Sequence, residues 1–424
     1  MLRYLYIFLF YITLPFLFLR LLWRSRRTAD YRKGWHERLG VVSFRCEKSI
    51  WLHAASVGET LAAVPLIKAL QTRYPSLPIV ITNMTITGAA RTQALFGDSV
   101  LHAFVPYDTP AGAVRFLKSI NPVIAIIMET ELWPTLFYQC KKRQVPIFVA
   151  NTRLSEKSAA GYQRIAPLTH EMLQAVHTMA VQTQVEAERF IKLGLPKEKI
   201  LVTGSIKFDI EVPEQLLEKG RALRQQLGVQ RLIWIAASTH ETEEDIILTA
   251  QKKICVALPD ALLILVPRHP PRFDDVFKLA EQKGFKTARR SKNENVDGSV
   301  PVYLADTMGE LLLLYSASDI AFVGGSFVPV GGHNMLEAAV LGRPVITGPQ
   351  LFNFAEISQR LIECRGMQTV NNADELAALV IDLLTDTQKR KKMGEMALDF
   401  VKANRGALQK HTQLAAKIID EPIT

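Results

Sequence analysis

A chain of 424 residues that is 48% hydrophobic and 22% charged has the composition of a folded protein with room for two cores, which sets aside disorder and small stapled scaffolds. Basic residues exceed acidic ones, 51 against 41, but much of the excess is local: in the first 48 residues Arg3, Arg20, Arg24, Arg26, Arg27, Arg32, Lys33, Arg38, Arg45 and Lys48 face only Asp30, Glu37 and Glu47. A nearly balanced remainder argues against a general nucleic-acid binder and for a basic face near one end. Cys46, Cys140, Cys255 and Cys364 stand far apart with no CxxC or Cys/His cluster, so neither a zinc site nor a disulfide framework is expected, in keeping with a reducing cytoplasm.

Tyr4 to Leu19 is apolar or aromatic apart from Thr13, and Leu21, Leu22 and Trp23 extend the run past Arg20. A helix of roughly twenty such residues can cross a bilayer, with Arg20 snorkelling. Arg24, Arg26 and Arg27 follow at once, and by the positive-inside rule they keep the body of the protein cytoplasmic. A cleaved signal peptide fits less well, because the charge follows the apolar core and no small-x-small site is present. A monotopic anchor is the other form, since Pro15 interrupts the helix. The expected order is a membrane anchor over residues 1–23 and a basic juxtamembrane segment over 24–47 that meets anionic lipid headgroups.

Apolar runs then alternate with helical stretches. Strands are expected at 49–53, 79–81, 123–128, 146–150 and 178–181, with helices from Gly58, after Gly88 and near Pro134. After a charged, helical linker over 211–230 the rhythm restarts, with strands at 232–236, 261–266, 302–304, 320–323 and 344–347. This βαβ pattern predicts an α/β protein with two doubly wound parallel sheets, one domain over 48–210 and another over 231–395, then a C-terminal helical segment over 396–424. Ligands in such folds sit outside the carboxyl ends of the strands, in the cleft between domains.

The candidate chemistry clusters at those strand ends. In HAASVGE, Glu59 opens a helix after the first strand, as a base for hydroxyl deprotonation or simply as favourable charge in a first helical turn. METELWP carries Glu129 and Glu131 just past a buried strand, both turned the same way if the strand persists. GSIKFD carries Lys207 at the end of the first domain. Ser238-Thr239-His240 either supports a phosphate or caps a helix. Pro267 and Arg268 close an apolar strand, where a guanidinium fork clamps phosphate or carboxylate. The richest stretch is GGSFVPVGGHNMLEAAVLGRPVITGP over 324–349. Two glycine turns and a helix start make it a nucleotide-phosphate site, with Glu337 one turn in to take ribose hydroxyls, or a bare strand-to-helix turn.

Taken in order, HAASVGE, TITGAAR, VPYD, METELWP, NTRLSEKS, GSIKFD, STHETEE, PRHPPRF, DTMGEL and GGSFVPVGGHNMLEAA closely resemble the Kdo (3-deoxy-D-manno-octulosonic acid) transferases of Gram-negative lipopolysaccharide synthesis, from the apolar N-terminus to about residue 360. The resemblance implies a GT-B fold of two Rossmann-like domains, the first binding acceptor and the second CMP-Kdo. It implies an inverting glycosyltransferase, needing no cofactor or nucleotide-bound metal, that moves Kdo from CMP-Kdo to a glucosamine hydroxyl of a lipid A precursor (lipid IVA). The enzyme would be held at the cytoplasmic side of the inner membrane, with membrane lipids as further partners. By the same resemblance Glu59 is the catalytic base, Glu129 and Lys207 support the transition state, and Pro267, Arg268, Met308, Gly309, Glu310, Asn334, Met335, Leu336 and Glu337 bind CMP. Ser205, Met335, Ala338 and Gln350 depart from the family's asparagine, two prolines and histidine, without removing a catalytic group. Another GT-B protein, such as a GlcNAc transferase or a UDP-GlcNAc epimerase, is the alternative, separated by donor choice.

Overall fold

The computed structural model describes residues 2–26 and 34–421; Arg27, Arg32 and Lys33 of the basic segment lie outside the described residues. The chain divides into two compact units, Met1–Asp209 with Arg405–Thr424, and Ile210–Asn404.

The first unit holds β1 (Ser49–His53), β2 (Ile79–Asn83), β3 (Leu101–Phe104), β4 (Pro122–Met128), β5 (Ile147–Thr152), β6 (Val176–Val181) and β7 (Ile200–Val202). They form one sheet in the order β3-β2-β1-β4-β5-β6-β7, every pair parallel. Alternation along the strands feeds two cores. Ile50, Leu52, Ile124 and Ile126 pack on one face, and Trp51, Ala125, Ile127 and Val149 on the other. The chain order reverses between β1 and β4, so their carboxyl ends open the crevice in which an open α/β sheet binds ligands.

The second unit repeats the plan with β8 (Ile233–Thr239), β9 (Leu262–Pro267), β10 (Thr287–Arg289), β11 (Val302–Leu304), β12 (Ile320–Val323), β13 (Val345–Thr347) and β14 (Met367–Thr369), in the order β10-β11-β9-β8-β12-β13-β14. All its pairs are parallel, and here the switch lies between β8 and β12.

Residues 396–424 are not one helix. The helix Thr387–Ala403 belongs to the second unit, Gly406 breaks the chain at φ 99°, and a separate helix, Ala407–Asp420, packs on the first unit. Ala415 and Ile418 of that last helix enter the core beside β4 and β5. The N-terminal helix, Leu2–Ser25, is the one helix among the described residues long and apolar enough to cross a membrane. It runs unbroken through Pro15, whose exposed ring faces away from the body, so the expected interruption is absent.

Candidate active site

At the carboxyl end of β1, Ser56 caps the helix Val57–Arg73 by accepting from the Glu59 amide. The Glu59 carboxylate returns the bond. Oε2 accepts from the Ala55 N–H at 2.7 Å and Oε1 from the Ser56 hydroxyl at 2.9 Å. Glu59 therefore does cap its helix, but its titration differs from that of an ordinary capping acid. Burial pushes its pKa up to about 7 against those two hydrogen bonds, and the charges of Glu129 and Glu131 add to the rise. A carboxylate that ionises near neutrality in a ligand crevice is suited to general base work.

Glu129 follows β4 directly. Its amide still donates to Ala150 O at 2.9 Å, but its φ is +54°, a strained conformation for a glutamate. The strand does not persist, so Glu129 and Glu131 part company. Glu129 meets Arg153 Nε at 3.2 Å and Lys207 Nζ at 3.7 Å. Glu131 instead sits among apolar groups, and burial raises its pKa, with the charge of Glu129 adding and the Trp133 indole opposing.

Lys207 is held from behind. Asn151, at φ +53° on β5, accepts from the Ile206 amide at 3.1 Å and the Ser205 hydroxyl at 3.3 Å. The Asn151 amide donates to His411 Nε2 at 2.8 Å, and His411 Nδ1 lies 2.7 Å from Ala407 O. Those partners fix the neutral tautomer, with the proton on Nδ1, and burial lowers the His411 pKa to about 4. Asp209 accepts from the Gly406 and Leu408 amides, both at 2.7 Å, tying the same segment to the C-terminal helix. Asn151 and His411 carry no motif signal of their own, and only the fold brings them to Lys207.

The second unit's switch point corrects one expectation. The amides of the first glycine turn are not free for an anion. Gly325, Ser326 and Phe327 donate to the fully buried Glu243 carboxylate at 2.7 to 2.9 Å, and the His240 amide donates to it at 2.9 Å. A side-chain acid already fills that cradle. Gly324 is required there because a Cβ would stand 2.7 Å from Ser238 O and 2.9 Å from Thr239 Cα. Glu244, beside it, takes Thr239 and both terminal nitrogens of Arg272.

Beside this turn stand three imidazoles and Arg268. His240 and His333 stack at 8° with Nε2 atoms 2.7 Å apart, and His269 meets His240 edge-on at a centroid distance of 5.3 Å. Two nitrogens at that distance share one proton. Burial lowers His333 to about 4, helped by His240 and Arg268, and lowers His240 as well. Arg268 follows β9, with its amide on Thr239 O at 2.9 Å, and its positive charge is felt at His240, His333 and Glu337. Pro267 is buried at the strand end. Asn334 accepts from the Leu336 amide and donates to Glu337 at 3.1 Å; burial raises the Glu337 pKa. Met335 and Leu336 are core residues with no exposed side chain, so a ligand would meet only their backbone. Glu310 is locked by two bonds to Arg290, which leaves Gly309, at φ +83° in open space, and the exposed Met308 as the accessible part of that turn. Among the described residues no group of three or more His, Cys, Asp or Glu side chains could hold a metal ion.

Two family models divide the chain: 3-deoxy-D-manno-octulosonic-acid transferase (kdotransferase) matches residues 33–210, and glycosyl transferases group 1 matches 227–399. The 3-deoxy-D-manno-octulosonic acid transferase of Haemophilus influenzae is 42% identical over 403 residues, 94% of each chain. The chain belongs to the Kdo transferase family. The Bordetella pertussis Kdo transferase is 34% identical over 85% of each chain. For fold alone, UDP-GlcNAc 2-epimerase from Neisseria meningitidis superposes at a TM-score of 0.57 with 12% identity, over 89% of this chain and all of that one. This Kdo transferase is thus a glycosyltransferase of the GT-B class, with a Rossmann-like sheet in each domain. Its acid cluster and its imidazole-arginine cluster each lie at the switch point of their own sheet.

Proposed function

We propose that this Kdo transferase moves Kdo from CMP-Kdo to a glucosamine hydroxyl of a lipid A precursor with inversion, at the cytoplasmic face of the inner membrane. The observation that carries the mechanism is the Glu59 carboxylate just past the carboxyl end of β1, fixed by two hydrogen bonds, with its pKa pushed by burial up to about 7. Glu59 takes the hydroxyl proton as the oxygen attacks the anomeric carbon. The bond from that carbon to the CMP phosphate breaks, and CMP leaves with the electron pair. Lys207 and Glu129 support the developing charge as an ion pair whose geometry Asn151 holds. In the second domain, Arg268 and the His240–His333 pair take the donor's anionic groups, and Glu337 takes the ribose. Calorimetry tests donor choice, with CMP expected to bind and UMP and UDP not; tight binding of UDP would move the assignment to another GT-B enzyme. The anomeric configuration of the product, read by NMR, tests inversion.

Two pH effects follow. Since Glu59 must be ionised, kcat should fall below about pH 7. Glu131→Gln removes a charge that raises the Glu59 pKa, so the acid limb should move to lower pH; an unmoved limb would show that Glu131 does not act on the base. Donor binding has the opposite sign. A phosphate beside His240 and His333 favours the protonated pair, so CMP binding should take up a proton and weaken as pH rises. Calorimetry in buffers of differing ionisation enthalpy reads that uptake directly, and proton release would contradict it.

A further inference from the structure

The N-terminal helix does not project from its domain. Residues 3, 6, 7, 10, 14, 17, 18, 21 and 25 are sheltered, a stripe at helical spacing along its whole length. Arg3 bonds Glu171 at 2.5 Å and lies 3.4 Å over the Tyr138 ring. Phe10 reaches Tyr107, and Phe18 reaches both Tyr107 and Trp35. The opposite side exposes Phe8, Ile12, Phe16, Leu19 and Trp23. A helix clamped at both ends to a folded body, and bare on its outer side, has an apolar side suited to a membrane surface.

Along one edge of this helix runs a groove of about 590 Å³, walled by Leu5 and Leu9 on the helix side and by Trp133, Ile165 and Met172 on the body side. Leu5, Leu9 and Ile165 are exposed at its lip, continuous with the bare side of the helix. Glu131 lines the same groove, and its charge is felt by Glu59.

We propose that this groove holds an acyl chain of the acceptor. The inference rests on the acceptor being an acylated glucosamine lipid, as set out above. Continuity with the outer side of the helix lets a chain pass from bilayer to groove without crossing water. The end marked by Glu131 puts the headgroup on the side of the base. The N-terminal helix is then both membrane contact and substrate wall.

The full-length enzyme in detergent micelles, given CMP-Kdo and a tetraacyl lipid A precursor carrying a photoreactive diazirine in one acyl chain, tests this. Labelling of peptides from residues 2–9 and 162–172 is expected, and labelling confined to other segments overturns the groove. Ile165→Trp, which narrows the lip at an exposed position, should raise KM for the acylated acceptor roughly tenfold with kcat kept. An unchanged KM overturns the proposal. Absence of transfer by the wild-type enzyme would instead overturn the acceptor reading beneath it.

Discussion

Glu59→Gln is expected to lower kcat by roughly 10²–10⁴-fold, the usual worth of a positioned general base, with CMP affinity unchanged. The substitution keeps the side chain's size, and its remaining carbonyl oxygen still accepts from the Ala55 amide or the Ser56 hydroxyl. Folding should therefore survive, and the loss should fall on chemistry rather than on KM. The pH profile carries the second half of the test. The variant's residual rate should lose the inflection near pH 7, because the group that titrates there is gone. A variant with full activity would leave Glu59 as a helix cap alone and pass the base role to Glu131, the other buried acid of the cluster.

Glu243→Ala is expected to have the largest effect on stability. Its carboxylate is fully buried and accepts four backbone amides, three of them from the glycine turn after β12. Left without an acceptor, each buried N–H costs about 1–3 kcal/mol, so the loss should exceed about 3 kcal/mol. For a domain of this size that lowers Tm by roughly 6–12 °C. The effect is also local. Hydrogen exchange at Gly325, Ser326 and Phe327 should speed up more than elsewhere in the sheet, and CMP affinity should fall, because His333 and His240 are positioned by that turn. Glu243→Gln should fall between, since its NH₂ group confronts donors. Unchanged exchange at the turn would mean that the cradle does not depend on the acid.

The contrast between what could and could not be read from the chain has a physical basis. The central strands are continuous apolar runs because both faces are covered, and such runs stand out in a sequence. The unforeseen strands β3, β7, β10 and β14 are the four sheet edges. They are three or four residues long and partly exposed, so their patterns carry little signal. Among the candidate site residues, Glu59, Glu129 and Arg268 could be singled out because charged residues just past apolar strands are conspicuous, whereas Lys207 follows a short exposed edge strand and stood out only at the domain junction and through the GSIKFD motif. Glu243 looked like one acid among several opening a helix, and nothing local showed that it reaches 82 residues along the chain to fill the glycine turn. Asn151 and His411 come together across 260 residues, a distance that only tertiary structure closes. The N-terminal run was legible as a long apolar helix by length and composition. That it packs along its own domain depends on partners, Glu171, Tyr138 and Tyr107, whose positions the run itself does not encode.

The most direct test of the account is transfer itself. The full-length enzyme in micelles is supplied with CMP-Kdo and tetraacyl lipid A precursor, and the product is read by mass spectrometry beside a folded, CMP-binding Glu59→Gln variant. In the wild type the acceptor's mass should rise by whole Kdo residues, with CMP released in equal number, and in the variant almost no such product should form. A folded wild-type enzyme that binds CMP yet leaves the acceptor's mass unchanged would contradict it.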